Sequence, residues 1–439
     1  MRAAEANQPL TDAEVEALLD PVAGADVIAL AVSGGADSLA LLDVVDRWRR
    51  RSGRPEAIVL TVDHGLRPES AGEAADVAKT AERRGFSARV LTASGPAPTS
   101  DIEAAARDLR YRLLVREARV SGASHLLLAH HRDDQAETFL MRLQRGSGVF
   151  GLAAMRRCVT SDGMAVFRPF LDIPHTRLVA TTAAAGLVPV EDPMNRDPRF
   201  LRARVRKDMP RLAENGMDSK VLADLARRFA NAADAIDSSV DRLISAVSVD
   251  QLATARVELV DFAAETAEVR LRLLVRLLAA IGGEGYPPRF QRLEALDAAL
   301  RQGGRCKRTL GGVVAETRGK SAFFYRESGR DGLPDIALGA DGFSGVWDGR
   351  YRVRTGPDGG RALRLAALGE AGRRAIQARI ASVPATVLEI QPALWRGGEV
   401  VAAPTIGYRA EGVRLPSIAV GQIVAERLAS PSRFPRYGD

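Results

Sequence analysis

The chain has 439 residues, 46% hydrophobic and 27% charged, which describes a globular protein with room for two or three domains rather than a disordered or fibrous one. Its two cysteines, Cys158 and Cys306, lie far apart, so neither a disulfide framework nor a zinc or iron–sulfur site is expected. The formal net charge of +7 is compatible with a polyanionic partner without establishing one, while the polar start and the lack of a long apolar run point to a cytoplasmic protein with no membrane partner.

In chain order, a short helix is expected over Asp12 to Leu19, with Thr11 as its N-cap. Then comes VIALAVSGGADSLALL, residues 27–42: an apolar strand, a tight loop Ser33-Gly34-Gly35-Ala36-Asp37-Ser38, and a helix running to about Arg51. A second strand, Ala57–Val62, runs into Asp63-His64-Gly65-Leu66-Arg67, followed by a helix from Ser70 to about Arg84 that Gly85 stops. A third strand, Ala88 to Thr92, precedes a loop and then a helix from Ile102 to Val120 capped by Asp101. A fourth strand, His125 to Ala129, meets His130-His131, and another helix starts near Asp133. Strands alternating with helices of this length imply an α/β fold, a parallel-sheet nucleotide-binding domain with helices on both faces. In such sheets ligands sit beyond the carboxyl ends of the strands. Three of these ends carry polar words: SGGADS, DHGLR and HHRDDQAE.

From about Gly216 the texture changes. Apolar positions at helical spacing over 219–247, 261–281 and 288–301 suggest an all-helical unit. From about Lys307, short strands and Gly turns predominate, with a helix near 369–381 and the strand-like ALWRGGEVVAAP, so the end of the chain reads as a small α+β domain. The expected division is 1–215, an α/β unit, 216–304, a helical unit, and 305–439, a small C-terminal α+β domain. The last 30 residues are too weakly patterned to assign.

The loop at Ser33 to Ser38 suits a phosphate: glycines let the backbone approach, the helix start offers N–H groups and a positive dipole end, and Asp37 can hold a divalent cation. It is not the lysine-containing nucleotide loop, because no GK[ST] follows. Around the fourth strand end, Asp134 and Glu137 are three apart on a helix and share a face, with His130 just before them. Such a group could hold Mg²⁺ and orient an amine nucleophile, although Asp133 alone reads as a helix cap. A transition-metal site is not expected, since no second histidine falls at ligand spacing on that helix. Arg107 and Arg110 share a face of the preceding helix and could reach phosphate or a carboxylate, or simply be solvated. The glycines and arginines of RLQRGSGVFGL could contact RNA backbone or form a surface loop. The run RFLRARVRK, with Arg202, Arg204 and Arg206, is the best candidate for a polyanion-binding stripe.

SGGADS resembles the SGGxDS loop of the ATP-pyrophosphatase (PP-loop) superfamily, whose fold is called adenine nucleotide α-hydrolase-like. Together with VDHGLRPES, AARDLRY, AHHRDDQAETFLMRLQRGSGVFGLAAM and EDPMNRDPRFLRARVR, it closely resembles the tRNA(Ile)-lysidine synthases over about residues 26–212. CKRTLGG, WDGRY and ALWRGGEVVAAP are weaker echoes in the last domain. The resemblance implies that ATP and Mg²⁺ adenylate the C2 oxygen of the wobble cytidine in a CAU-anticodon isoleucine tRNA. Free L-lysine would then attack C2 and expel AMP. It implies that Ser33, Gly34, Gly35, Ala36, Asp37 and Ser38 grip ATP, with Asp37 a magnesium ligand. Arg110, His130, Asp134 and Glu137 would form the lysine-recognising and catalytic group, and Arg202, Arg204 and Arg206 would contact RNA phosphate or the activated nucleotide. The chain departs from the family pattern at Met194 and Ala203, where a serine and an asparagine are usual. A tRNA-thiolation reading lacks the expected CxxC, a small-molecule amidating ligase leaves the arginine stripe unexplained, and a vestigial RNA-binding protein would not keep Asp37, His130, Asp134 and Glu137. The oligomeric state is left open, a homodimer among the options.

Overall fold

In the computed structural model every residue is described apart from 1–6, 51–53, 64, 66–68, 93–101, 162, 191–198, 200, 284–287, 330–331, 358–361, 381–382 and 431–439. The expectations placed on His64, Arg67, Asp101 and Met194 therefore lie outside the described residues. The chain divides into two compact units, one through Ala233 and one from Asp234 onward.

The first unit is built on a six-stranded sheet with order β3-β2-β1-β4-β6-β5, made of β1 (Val27–Ala31), β2 (Glu56–Asp63), β3 (Ser87–Thr92), β4 (His125–Leu127), β5 (Cys158–Ser161) and β6 (Met164–Phe167). All neighbours pair in parallel except the edge hairpin β5–β6. Strand residues alternate between two apolar layers. Ile28, Leu30, Val59 and Leu127 face one cluster, while Ala29, Leu60 and Leu126 face the other. The first layer is filled by α1 (Asp12–Leu19), α2 (Ala36–Arg49), α3 (Ser70–Arg83) and, through Leu178, a helix further along the chain. The opposite layer is filled by Leu114, Val115 and Ala118 of α4 (Ile102–Val120). This is the parallel sheet covered on both faces that the alternation of strands and helices implies.

Local sequence explains the element starts. Thr11 and Glu14 form a reciprocal capping box on α1. Helix α2 begins earlier than Ser38, at Ala36, with extended Gly35 as an N-cap that supplies no side chain. The fourth strand is shorter than expected and hands over at Leu127 to α5 (Arg132–Gln144), whose N-cap is His131 rather than Asp133. After α6 (Val149–Leu152) and the hairpin, α7 (His175–Ala184) follows, then α8 (Leu201–Glu214) and α9 (Ser219–Ile244). Ala136, Phe139, Leu152, Ala154, Leu222 and Ala226 form a satellite cluster, with Met209 and Phe229 packed against it. That cluster mounts α8 and the start of α9 on α5.

The second unit corrects the expected all-helical stretch. Within 216–304, Ser248–Val249 and Ala255–Glu258 are strands, and the latter pairs antiparallel with Ser321–Arg326. They belong to one five-stranded sheet with Lys307–Leu310 and Val313–Arg318. The helix Ala267–Gly282 packs on that sheet, and one apolar cluster runs from Val240 to Leu428. The division at 304/305 is therefore replaced by a single unit, because the apolar face of Ala267–Gly282 is covered by strands from the later segment. A second five-stranded sheet and a three-stranded sheet complete it. The latter includes Ile418–Gln422, followed by a helix at Val424–Ala429, in the tail that the sequence pattern left unassigned.

Helix Ala267–Gly282 carries three buried arginines. Arg270 forks onto Asp297 (Nε–Oδ1 2.6 Å, Nη2–Oδ2 3.2 Å) and Arg272 onto Asp237 (2.7 and 3.2 Å). Arg276 pairs with Asp241 and donates to the Leu428 carbonyl at 2.7 Å, tying in the final helix.

Candidate active site

The strand order places its reversal between β1 and β4, both paired to neighbours on opposite sides. A doubly wound sheet opens a crevice at the carboxyl ends of such strands. The loop after β1 and the start of α5 after β4 flank it.

The Ser33–Ser38 loop is closed by one hydroxyl. Ser38 Oγ accepts from the backbone N–H groups of Ser33 and Gly34, both at 3.1 Å, and donates to the Gly35 carbonyl at 2.9 Å. Gly34 has φ +90°, a conformation that favours glycine, and a Cβ there would also press on Val77 Cγ2 at 3.1 Å. Its carbonyl accepts from Val190 N at 3.0 Å. Because Gly35 caps α2 without a side chain, no capping side chain occupies the first-turn N–H groups of that helix, which have no intrahelical partner. Such a loop and helix start can serve as an anion cradle.

Asp37, in the first turn of α2, faces two imidazoles. His175 Nδ1 lies 2.8 Å from Asp37 Oδ1, and His131 Nε2 lies 3.5 Å from Asp37 Oδ2. Burial alone would raise the Asp37 pKa, but the hydrogen bonds and charges of His131 and His175 outweigh it and hold the carboxyl far below its ordinary value. His131 is buried, which by itself would lower its pKa. The carboxylates of Asp134, Asp37 and Asp133 prevail and push it up to about 9. Its Nδ1 also accepts the Asp134 N–H at 3.3 Å, a long capping bond that needs that nitrogen unprotonated and so is the weaker claim on the ring. His175 stands exposed at the start of α7, where Asp133 Oδ2 accepts its backbone N–H at 2.8 Å. Asp133 thus fixes the start of α7 against α5.

The remaining expected residues fall into two sets. Asp134 is mostly buried. Burial would raise its pKa, but the charges of His131, Arg202 and His130 lower it, which places His130 beside it as the sequence suggested. Glu137 is 2% exposed, and arginines engage both its oxygens: Arg206 Nε at 2.7 Å from Oε1, Arg206 Nη2 at 3.0 Å and Arg202 Nε at 3.2 Å from Oε2. Arg202 also donates to Thr138 Oγ1 at 3.1 Å. Arg202 and Arg206 are four apart on α8 and share a face; Arg204 does not, and its guanidinium donates to the Arg199 carbonyl. Arg110 has a solvent-accessible side chain whose guanidinium is nevertheless crowded by protein. That desolvation, with the Arg202 cation, lowers its pKa. The acidic group on α5 and two of the three stripe arginines are therefore one cluster, not two.

Other residues of the same motif are structural. Gln135 is buried and exchanges two 2.8 Å hydrogen bonds with the Met155 backbone. Buried Arg142 donates to the carbonyls of Gly151 (2.9 Å) and Ala154 (3.1 Å). These bonds pin the segment after RGSG to α5. Sequence reasoning missed His131 and His175. The doubled histidine could have flagged the first, but nothing near His175 marks it, since its partner lies 138 residues earlier.

Of these residues, Asp37 fits magnesium: it offers hard carboxylate oxygens beside an anion cradle, and magnesium commonly takes one or two carboxylates with phosphate oxygens and water. Among the described residues, no helix is long and apolar enough to cross a membrane.

Comparison with known proteins matches the PP-loop domain family to residues 7–212. A tRNA(Ile)-lysidine synthase from Bradyrhizobium sp. is 44% identical over 332 residues, 71% of this chain and 92% of that protein. One from Rhodopseudomonas palustris is 46% identical over 308 residues, covering 67% and 89%. One from Ruegeria pomeroyi is 36% identical over 384 residues, covering 87% and 88%, and so extends into the second unit. The cradle at the sheet's switch point and these likenesses agree, and the chain belongs to the tRNA(Ile)-lysidine synthase family of ligases.

Proposed function

We propose that this enzyme ligates free L-lysine to C2 of the wobble cytidine in CAU-anticodon isoleucine tRNA, through an adenylated cytidine, releasing AMP and pyrophosphate. The observation that carries the reading is the meeting, at one sheet edge, of an anion cradle, Asp37, and a cluster of carboxylates and arginines. ATP is the co-substrate, and Mg²⁺ on Asp37 would neutralise charge on the departing pyrophosphate. The cytoplasm, where its substrates meet, is the proposed location.

In this reading the Ser33–Ser38 backbone and the α2 terminus hold the triphosphate so that its α-phosphorus faces the cytidine O2. Attack by O2 forms the C–O–P link and breaks the α–β phosphoanhydride. Loss of AMP then becomes easy, whereas an amide-like oxygen is a poor leaving group. Asp134, with its lowered pKa, stays anionic and attracts the lysine ammonium. His130 is the base candidate for the proton the amine must shed before attacking C2. Arg202 and Arg206 hold Glu137 and present guanidinium groups to phosphate, and Arg110 adds a third cation nearby. Arg204, on another face of α8, is assigned to RNA backbone. The unpaired anticodon loop exposes its base edges, so the cytidine can enter without duplex melting.

The deciding assay combines the purified chain, ATP, magnesium, radiolabelled lysine and transcribed isoleucine tRNA bearing CAU. Label is expected in that tRNA alone; no incorporation, or equal labelling of a methionine tRNA, removes the proposal.

A further inference from the structure

Asp37, His131 and His175 bring one carboxylate and two imidazoles together, with one ligand atom from each inside a 4.8 Å span. They come from three different elements, the first turn of α2, the N-cap of α5 and the first residue of α7, so the cluster is a product of the fold and not of any helical spacing. The two rings lie 5.0 Å apart between centroids and are tilted by 37°, pointing toward the same carboxylate without stacking.

We propose that these three side chains form a binding site for Zn²⁺, distinct in its chemistry from the magnesium that the proposed function places on Asp37. This inference shares Asp37 with that reading. Magnesium demands oxygen ligands, whereas two imidazoles and a carboxylate are a donor set for a borderline transition ion. Three protein ligands with a fourth position left for water or substrate is the usual form of an open zinc site. Bonds of about 2.0–2.2 Å in a tetrahedron require ligand atoms roughly 3.3–3.5 Å apart. His131 Nε2 is already 3.5 Å from Asp37 Oδ2, whereas His175 Nδ1 lies 2.8 Å from the other oxygen, Oδ1, and the three ligand atoms lie within a 4.8 Å span, so closing the tetrahedron needs the carboxylate and the exposed His175 ring to turn together.

The surroundings also suit a dication. Asp133 fixes His175 through its backbone N–H and places Oδ2 3.8 Å from His131 Nδ1, the ring nitrogen left free by a metal on Nε2, while Asp134 Oδ2 lies 3.3 Å from Nε2 itself and adds a carboxylate beside the ion. A carboxylate on the non-ligating side can orient a ligating imidazole. Arg206 is the opposing charge, close enough to feel Asp37, and the carboxylates of Glu137 and Asp134 offset it. Binding through His131 Nε2 releases the proton of that nitrogen to solvent and leaves Nδ1 protonated and turned toward Asp133; the long bond from Asp134 N is lost. Exposure of His175 provides the entry path.

The test uses the full chain without nucleotide, titrated with Zn²⁺ against a chromophoric chelator and, in parallel, with Co²⁺ followed by visible absorption. One Zn²⁺ per chain is expected. His175→Ala and Asp37→Ala should each weaken binding by about 100-fold or more, beyond the ~10–100-fold typical of losing an outer partner. His175→Gln provides a second variant, and far-ultraviolet circular dichroism checks that each is folded. His125→Ala, and Cys158→Ser with Cys306→Ser, should leave the zinc affinity unchanged. Absence of stoichiometric binding, equal binding by His175→Ala, or loss of binding in the cysteine variant would overturn the site. Zinc displaced by magnesium–ATP supports both assignments of Asp37. A zinc site that magnesium–ATP leaves in place supports this proposal and counts against Asp37 as the magnesium ligand.

Discussion

Two sets of arginine–carboxylate forks use the same chemistry in opposite settings. In the second unit, the Arg272 and Asp237 side chains are 1% and 8% exposed. In the first, Glu137 is equally buried, but its partners Arg202 and Arg206 keep 26% and 48% of their side-chain surface open. Taking a charge out of water is costly, so a pair with both members sealed holds only as a unit. With the cations open to solvent, they can exchange the carboxylate for water or another anion. The comparison teaches that exposure of the cation, more than the geometry of the fork, separates a strut from a contact available to a ligand.

Breaking the sealed fork should have the largest effect. Asp237→Ala removes the carboxylate onto which buried Arg272 forks and should cost about 3–5 kcal/mol, read as a lower urea midpoint of unfolding. A loss below 1 kcal/mol would erase the contrast.

Next is Asp37→Ala, expected to lower pyrophosphate release by about 10²–10³-fold, in line with removal of one electrostatic stabiliser, while tRNA still binds. Retained ATP turnover would mean the loop is misassigned.

Glu137→Gln removes the charge at the open fork while keeping a side chain of the same size. Arg202 and Arg206 can rehydrate, so unfolding stability should fall by no more than ~1 kcal/mol, while kcat/KM for lysine falls at least about tenfold, a loss of roughly 1.4 kcal/mol in transition-state binding. If stability drops as far as in Asp237→Ala, the open fork is a strut after all.

The smallest effect is a pH dependence. Arg177 donates to both Glu14 oxygens, and that contact, against the opposing effect of burial, lowers the Glu14 pKa from 4.5 to about 2. A depressed carboxyl stabilises the folded state above its unfolded value and loses that contribution as pH falls from about 4.5 toward 2. Glu14→Gln should flatten the stability profile in that window and leave it parallel to the parent above pH 5 or so. An unchanged acid slope would show that the α1–α7 tether contributes nothing.

Legibility in the sequence followed the range of the interactions. The strand–loop–helix at 27–49 was readable because apolar runs, two glycines and a polar turn are all local. Thr11 as the cap of α1 was equally so. His130, Asp134 and the arginines of α8 were recognisable as words, but their union was not, since Glu137 meets Arg206 across 69 positions. The edge hairpin at 158–167 and the strands at 248–258 are two to four residues each, too short to carry a period. The helical reading of 216–304 failed for that reason. The argument against a transition-metal site looked along one helix only, whereas the fold brings a second histidine, from α7, to Asp37.

Helix α5 has one more consequence, in time rather than in energy. The buried Met155 amide donates to the side chain of Gln135, a buried residue of α5. Its exchange with solvent deuterium requires that contact with α5 to open. A single slow amide in the segment after RGSG is thus a clock for the integrity of the helix that carries Asp134 and Glu137. It can be followed in the resting enzyme, without substrates and without touching the residues it monitors.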